Sequence, residues 1–300
     1  MSYRKPSLLA MPVVALLLVL TAVGFVGSTS GNHPSAFRAV PQESVSLHLT
    51  LGNPSDATTN TSDKDNFLLV KPQYVLSYNN TKGEANWVSW HLQKSDIGTV
   101  KRQNFHPEDG LMSGFKVVTP TDYTGSGFDR GHVCNSKDRT RTIKDNLATF
   151  SMANMLPQTP ALNQHVWLKL EEYARTLATQ GKEMYIIAGG IGSKKIIGRA
   201  NKVTVPTDCW KILVVLPQGN NDLSRIDANT RVIAVIMPNK TTIAGDPWQK
   251  YIRTVREVEE ATGYNFLSEV PQDIQDVIET RSDPGRAAPA RRTSSRGRSR

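Results

Sequence analysis

The chain has 300 residues, 38% of them hydrophobic, and only two cysteines, Cys134 and Cys209. That length accommodates one large domain or two small ones with an ample core, while two cysteines exclude a multiply cross-linked scaffold and permit one bridge at most. The net charge of +9 does not describe a basic body: residues 281–300 set seven arginines against Asp283, and Arg4 with Lys5 adds two more charges, which leaves +1 for everything between. Arg4 and Lys5 precede a stretch without formal charge up to Arg38, apolar from Leu8 to Val26 and then small at Gly27, Ser28 and Thr29. Residues 1–30 therefore read as a secretory signal peptide. The apolar part also reaches the length of a membrane span, so an uncleaved anchor through residues 8–26 is the alternative. Either way the rest of the chain faces an oxidising, non-cytoplasmic space: secreted, periplasmic, or held on the outer face of a membrane.

Residues 31–66 are rich in Ser, Thr, Asn and Pro without periodic hydrophobicity and read as a low-complexity linker. Asn60, Asn79 and Asn239 open glycosylation sequons that matter only on a eukaryotic secretory route. The body is expected over residues 67–280. Residues 74–78 and 87–92 read as strands joined by an Asn-Asn-Thr-Lys-Gly turn, an opening hairpin. Arg102 follows in a polar loop, with Lys101 beside it. A Gly-containing turn at 123–126 leads into Asp129-Arg130-Gly131-His132, a strand in which a cationic fork and a titratable base flank one glycine. Residues 147–152 form a short apolar run expected to pair with that strand. Asn154 to Pro160 is punctuated by prolines and reads as the loop that ends it; Asn154 is expected to fix this loop by side-chain hydrogen bonds.

From Asn163 the spacing predicts an amphipathic helix, with Val166, Leu170, Tyr173 and Leu177 against the core. Asn163, Trp167, Glu171 and Arg175 step by four along the other side. Asn163 and Glu171 are then about two turns apart, too far for one metal to take both directly. Glu171 reaches such a metal through water, or pairs with Arg175 as a surface ion pair. Beyond the helix, residues 184–188, 202–205, 210–216 and 231–237 are β-branched runs. Gly189-Gly190-Ile191-Gly192-Ser193-Lys194 fits neither nucleotide-loop spacing and reads as a hairpin turn. Residues 248–252 and 255–262 are helical, the latter closed by Gly263. Strands with intermixed helices and no βαβ alternation argue an α+β fold, a mainly antiparallel sheet flanked by helices. The tail, 281–300, is expected to be disordered and basic, with a weak attraction for nucleic acid or an anionic surface as one reading. There is no internal repeat.

These residue types suit phosphodiester hydrolysis, which needs an activated water, a cation on the developing charge and help for the leaving oxygen. His132 fits the base, since neutral imidazole is available near pH 7. Asn163 offers a hard, neutral oxygen suited to Mg²⁺, and the guanidinium fork of Arg130 beside His132 matches phosphate oxygens, while Arg102 reads locally as a solvated loop arginine.

Taken together, the segments Asp129–His132, Asn154-Met155-Leu156-Pro157-Gln158, and Asn163 with Glu171 eight residues on resemble the sugar-non-specific DNA/RNA endonucleases of the ββα-metal (His-Me finger) type. Tyr74-Val75-Leu76-Ser77-Tyr78-Asn79-Asn80 and Asn86-Trp87-Val88-Ser89-Trp90 resemble most the secreted cyanobacterial-type members, and the likeness extends from about Tyr74 to about Val270. It implies a ββα active-site unit, His132 as base, Asn163 as sole direct ligand of Mg²⁺ (Mn²⁺ as substitute), and Glu171 ordering metal-bound water. It also implies Arg102, Arg130 and Arg175 on phosphate and a hydrogen-bonding role for Asp129. Cys134-Asn135 stands where the family more often has Ala-Pro. The expectation is an exported, Mg²⁺-dependent endonuclease leaving 5′-phosphate ends on DNA and RNA without sequence preference. The alternatives are a non-cutting, membrane-tethered DNA receptor of the same fold, or a DNA-uptake or toxin nuclease with an immunity or inhibitor protein as partner. The oligomeric state is open.

Overall fold

The computed structural model describes residues 46–199 and 202–285; the expected signal or anchor segment, and the tail beyond 285, lie outside them. In chain order the strands are β1 (Phe67–Val70), β2 (Val75–Asn79), β3 (Glu84–Leu92), β4 (Asp129–His132), β5 (Met155–Gln158), β6 (Lys182–Ile191), β7 (Lys195–Ile197), β8 (Val203–Val205), β9 (Asp208–Pro217), β10 (Arg231–Pro238) and β11 (Ile252–Arg253). The α-helices are α1 (Ile143–Ala148), α2 (Leu168–Thr179), α3 (Val255–Thr262) and α4 (Gln272–Ile278). Seven strands form one sheet in the order β1-β2-β3-β6-β9-β10-β11, with every neighbouring pair antiparallel. The fold is α+β, as expected.

Both faces of this sheet are covered, which is why its central strands read as continuous apolar runs rather than alternating ones. Side chains still alternate between two cores. Trp90, Leu92, Ile186, Leu213 and Ile233 join Trp167 and Leu170 on one face. Trp87, Tyr185, Ile187, Ile212 and Val214 join Val255, Val258 and Ile278 of α3 and α4 on the other. Helix α3 ends at Gly263 in the left-handed region, φ +74°, as expected, and opens with a capping box between Thr254 and Glu257. Among the described residues no helix is long and apolar enough to cross a membrane.

Five local expectations need correction. Residues 46–66 are not linker: Leu51 and Ala57 are buried, Ser55 Oγ accepts a hydrogen bond from Trp87 Nε1, and the His48 backbone carbonyl accepts one from Ser89 Oγ. The polar residues that suggested a linker satisfy turns instead, as when Asn53 bonds both backbone groups of Ala57. The tail likewise begins later than 281, since Arg281 donates to the carbonyls of Ala228 and Thr230.

Strand β4 pairs with β5, in the register Asp129↔Gln158 to His132↔Met155, and not with residues 147–152. Residues 143–148 are helical because the Thr142 hydroxyl caps Asp145 N–H. Pro157 is tolerated within β5 because this is a two-stranded ribbon, where an edge position needs no second donor. Gly189 and Gly190 lie inside β6, opposite Trp210 and Cys209, and the turn comes only after Ile191. Finally, the helix after β5 starts with a π-type stretch, Leu162–Trp167, before α2 proceeds regularly. Its Asn163–Glu171 side is not open to solvent: Trp167 and Glu171 are buried.

Candidate active site

Strand β4, strand β5 and the helix running from Leu162 through α2 make the ββα unit, and they bring five of the seven predicted site residues to one cavity. It has a volume of about 220 Å³ and is bordered by Arg102, Arg130, His132, Asn135, Asn163 and Glu171. A larger cleft of about 530 Å³, between Asp122, Lys195 and Arg199, contains no imidazole or amide ligand, so chemistry rather than volume distinguishes the site.

His132 ends β4 with 8% of its surface exposed. Its ring is held edge-on to Phe150, at 4.8 Å between centroids, and against Phe105 at 5.5 Å. Nε2 has no hydrogen-bond partner among the described residues. Burial, and secondarily the charge of Arg102, pushes its pKa down to about 3, so the imidazole is neutral at pH 7 and able to accept a proton. Gly131, one residue earlier, permits this crossing of strands: a Cβ there would stand 2.1 Å from Gln158 Oε1 and 2.8 Å from its Cγ.

Asn163 Nδ2 donates to Asp129 Oδ2 at 2.9 Å, and Gln164 Nε2 donates to the same oxygen at 2.8 Å. Asp129 therefore orients its neighbours, and with the amide nitrogen engaged, the amide oxygen of Asn163 is the group left to take a cation. Arg102 stacks on Phe105 and Phe150, 5.2 and 4.9 Å from the ring centroids, and borders the cavity. Lys101, the competing assignment, does not. Arg130 also borders it, with Nε and Nη2 both tied to the Pro120 carbonyl at 3.2 and 2.7 Å.

Glu171 is 5% exposed. Asn135 Nδ2 donates to its Oε2, and Lys211 Nζ lies 3.6 Å from its Oε1. Burial raises the Glu171 carboxyl while Lys211 and Asn135 pull it back. Lys211 projects from β9 and is fully buried between Trp167 and Trp90, 4.1 and 5.4 Å from their ring centroids. Sequence reasoning missed both supports. A lone lysine inside the apolar run Cys209–Leu216 was the available signal for Lys211, and the departure of Cys134-Asn135 from the family's Ala-Pro was the signal for Asn135.

Arg175 departs from expectation. It pairs with Asp138, Nη1 to Oδ1 at 3.1 Å, lies outside the cavity lining, and forms no ion pair with Glu171. Since Asp138 also accepts from Trp90 Nε1 at 3.1 Å, this pair locks α2 to β3 behind the site. Asn154 bonds the backbone of Cys134 and Thr149, so it ties the segments after β4 and after α1 together instead of fixing a loop at 154–160, where residues 155–158 are strand β5. Cys134 and Cys209 are both buried and unbridged; burial pushes both thiols up, Cys209 to about 12, which makes them unreactive near neutrality.

Comparison with known proteins gives a consistent picture. Residues 51–273 match the family model described as DNA/RNA non-specific endonuclease. A nuclease of Nostoc sp. is 53% identical over 243 residues, covering 80% of this chain and 87% of that protein. Mitochondrial endonuclease G of Bos taurus is 28% identical over 218 residues, covering 68% of this chain and 70% of that protein. A solved EndoG/EndoGI complex contains a chain with the same fold, at a TM-score of 0.65 and 23% identity, covering 80% of this chain and 95% of that one.

Proposed function

With the chain belonging to the DNA/RNA non-specific endonuclease family, and so a metal-dependent endonuclease, we propose that it hydrolyses DNA and RNA with Mg²⁺, leaving 5′-phosphate ends, with His132 as general base. The observation that carries this reading is the convergence of a neutral imidazole, an oriented amide oxygen and a buried carboxylate on one cavity.

The donor set fits a hard divalent cation. Asn163 would hold it through its amide oxygen, and Glu171, whose Oε1 accepts no hydrogen bond among the described residues, would hold its water ligands. Mn²⁺ presents the same preferences and is the expected substitute. When bound, the cation supplies electrostatic stabilisation of the pentacovalent phosphate and a polarised water to protonate the leaving oxygen.

The protein's own groups account for the rest. The His132 imidazole takes a proton from the attacking water, and the Phe105 and Phe150 rings hold it against rotation. Arg102 and Arg130 offer guanidinium N–H groups to the phosphate oxygens. Asp129 keeps the Asn163 amide from flipping, and Lys211 with Asn135 keeps Glu171 in place. The cavity offers phosphate-binding groups and no base-reading element, which supports acceptance of both sugars. The same intact constellation argues against a non-cutting receptor.

The chain digested against supercoiled plasmid and single-stranded RNA, with Mg²⁺ or with EDTA, tests this. Cleavage of both only with the metal, to fragments that ligate without prior phosphorylation, is the expected result. Fragments with 5′-hydroxyl ends would overturn the assigned direction of attack.

Export through residues 1–30 is a separate proposal, supported by Arg4, Lys5 and the apolar run 8–26. N-terminal sequencing of the mature chain distinguishes a cleaved signal from a retained tether. An inhibitor protein is a further proposed partner, prompted by the solved EndoG/EndoGI complex.

A further inference from the structure

On the sheet face opposite α2, His91 of β3, Glu183 of β6 and Asp222 of the turn Asp222–Arg225 converge. His91 lies between Trp90 and Leu92, which point into the α2 core, so alternation sends its ring to the other side, 4.9 Å from that of Tyr185. His91 is 4% exposed and Glu183 2%. His91 Nε2 has no hydrogen-bond partner among the described residues. It faces Glu183 Oε2 at 3.5 Å and Asp222 Oδ2 at 3.9 Å, and the three atoms lie within 4.8 Å of one another.

Both carboxylates are held by further groups. Arg225 Nη2 bridges Glu183 Oε1 and Asp222 Oδ1, Gly219 N–H donates to Glu183 Oε1 at 3.1 Å, and Tyr185 OH donates to Asp222 Oδ2 at 2.6 Å. Glu183 is thus anchored on Oε1 with Oε2 turned to the imidazole, whereas Asp222 is held on Oδ1 by Arg225 and on Oδ2 by Tyr185, leaving the second lone pair of Oδ2 on the side of the imidazole. A cavity of about 340 Å³, bordered by His91, Glu183, Tyr185, Asn220 and Asp222, opens onto the cluster and gives an entry path.

From these positions we propose that His91, Glu183 and Asp222 form a second divalent-metal site, of the Zn²⁺ class, separate from the nuclease centre. Metal–ligand bonds of about 2.0–2.2 Å set the edges of a tetrahedral site at roughly 3.3–3.6 Å, which the imidazole–carboxylate separations reach with shifts of a few tenths of an ångström. A mixed imidazole–carboxylate set favours Zn²⁺ over Mg²⁺, which prefers oxygen ligands and retained water. Arg225, on the outer oxygens, balances part of the carboxylate charge. The site's role is structural: it staples β3 and β6 to the 222–225 turn, and Tyr185 and Arg225 hold the ligating carboxylates in orientation as outer partners do in metal sites.

Titration of ZnCl₂ into the metal-free full chain by calorimetry, paired with thermal unfolding, tests the assignment. One Zn²⁺ site should persist in Asn163→Ala, weaken at least tenfold in His91→Ala and in Asp222→Asn, and raise the melting temperature only where it persists. Mg²⁺-supported cleavage by the last two variants should be unchanged. Asp222→Asn, on a surface turn, supplies the answer if His91→Ala loses its native circular dichroism. Equal Zn²⁺ affinity in wild type and Asp222→Asn, or loss of the site in Asn163→Ala, would overturn the proposal in favour of an ion-pair cluster.

Discussion

The amide of Asn163 hands a hydrogen to Asp129 Oδ2 across 2.9 Å, joining the helix after β5 to the first residue of β4. An amide has two near-equivalent orientations, and this bond selects the one that presents oxygen to the cavity. Asp129→Ala should therefore lower kcat by about 10–100-fold and raise the Mg²⁺ concentration for half-maximal rate, as loss of an outer partner does at metal sites. Steady-state rates over a metal series measure both. An unchanged metal requirement would mean that Asp129 does not act through Asn163.

Lys211 and Glu171 form a buried pair, 2% and 5% exposed in their side chains and 3.6 Å apart. Removing one partner strands the other charge, so Lys211→Met should cost about 3–5 kcal/mol. Adding Glu171→Gln should restore at least about 1 kcal/mol, the sign of coupling between neighbours. Urea unfolding of the two single variants and the double variant provides the cycle; strict additivity would refute the coupling.

His132 is held at about 3 by burial and by Arg102. A base must be unprotonated, so kcat/KM should not fall on the acid side at the ordinary histidine pKa near 6.5. Arg102→Gln removes the charge that disfavours imidazolium, so His132 titrates higher and the acid limb moves to higher pH. Profiles from pH 4 to 9 at saturating Mg²⁺ read the shift, and a limb that stays put would remove Arg102 from the account of His132.

Glu84 is buried at the start of β3 and burial raises its pKa from 4.5 to about 8, with Lys82 pulling back. In this case the folded state binds the extra proton between those values. Stability from the group is whole below about 4.5, declines as pH rises, and is lost above about 8. Glu84→Gln keeps the neutral form at every pH and should stabilise the protein at pH 8.5 by about 1 kcal/mol or more relative to its effect at pH 4.5. Urea midpoints at the two values check the sign.

Much of this was legible because local chemistry and final environment agree. The runs 210–216 and 231–237 became β9 and β10, and Gly263 closes α3 in the left-handed region that its lack of a Cβ permits. The motif residues Asp129, Arg130, His132 and Asn163 meet as the resemblance implied. What escaped depends on partners distant in sequence. Pro157 disguised β5 as a loop, since only its place in a two-stranded ribbon excuses the missing donor. Residues 46–66 were disguised by polar side chains that serve turns and reach Trp87 and Ser89. Glu171 and Arg175, four apart on one helix, suggested each other, yet each found a partner on another element: Lys211 on β9 and Asp138 after β4. Helical spacing specifies who can meet along a helix and says nothing of what folds against it.

The central claim is that His132 performs the base step at a site whose fold and metal-holding group are otherwise intact. Its most direct test is the single-turnover rate of plasmid and RNA cleavage by His132→Ala beside wild type, in saturating Mg²⁺. General-base catalysis contributes about 10²–10⁴-fold, so the variant should lose at least about a hundredfold on both substrates while keeping its circular dichroism, its melting temperature and its half-saturating Mg²⁺. A rate within a few-fold of wild type on either substrate would contradict the account.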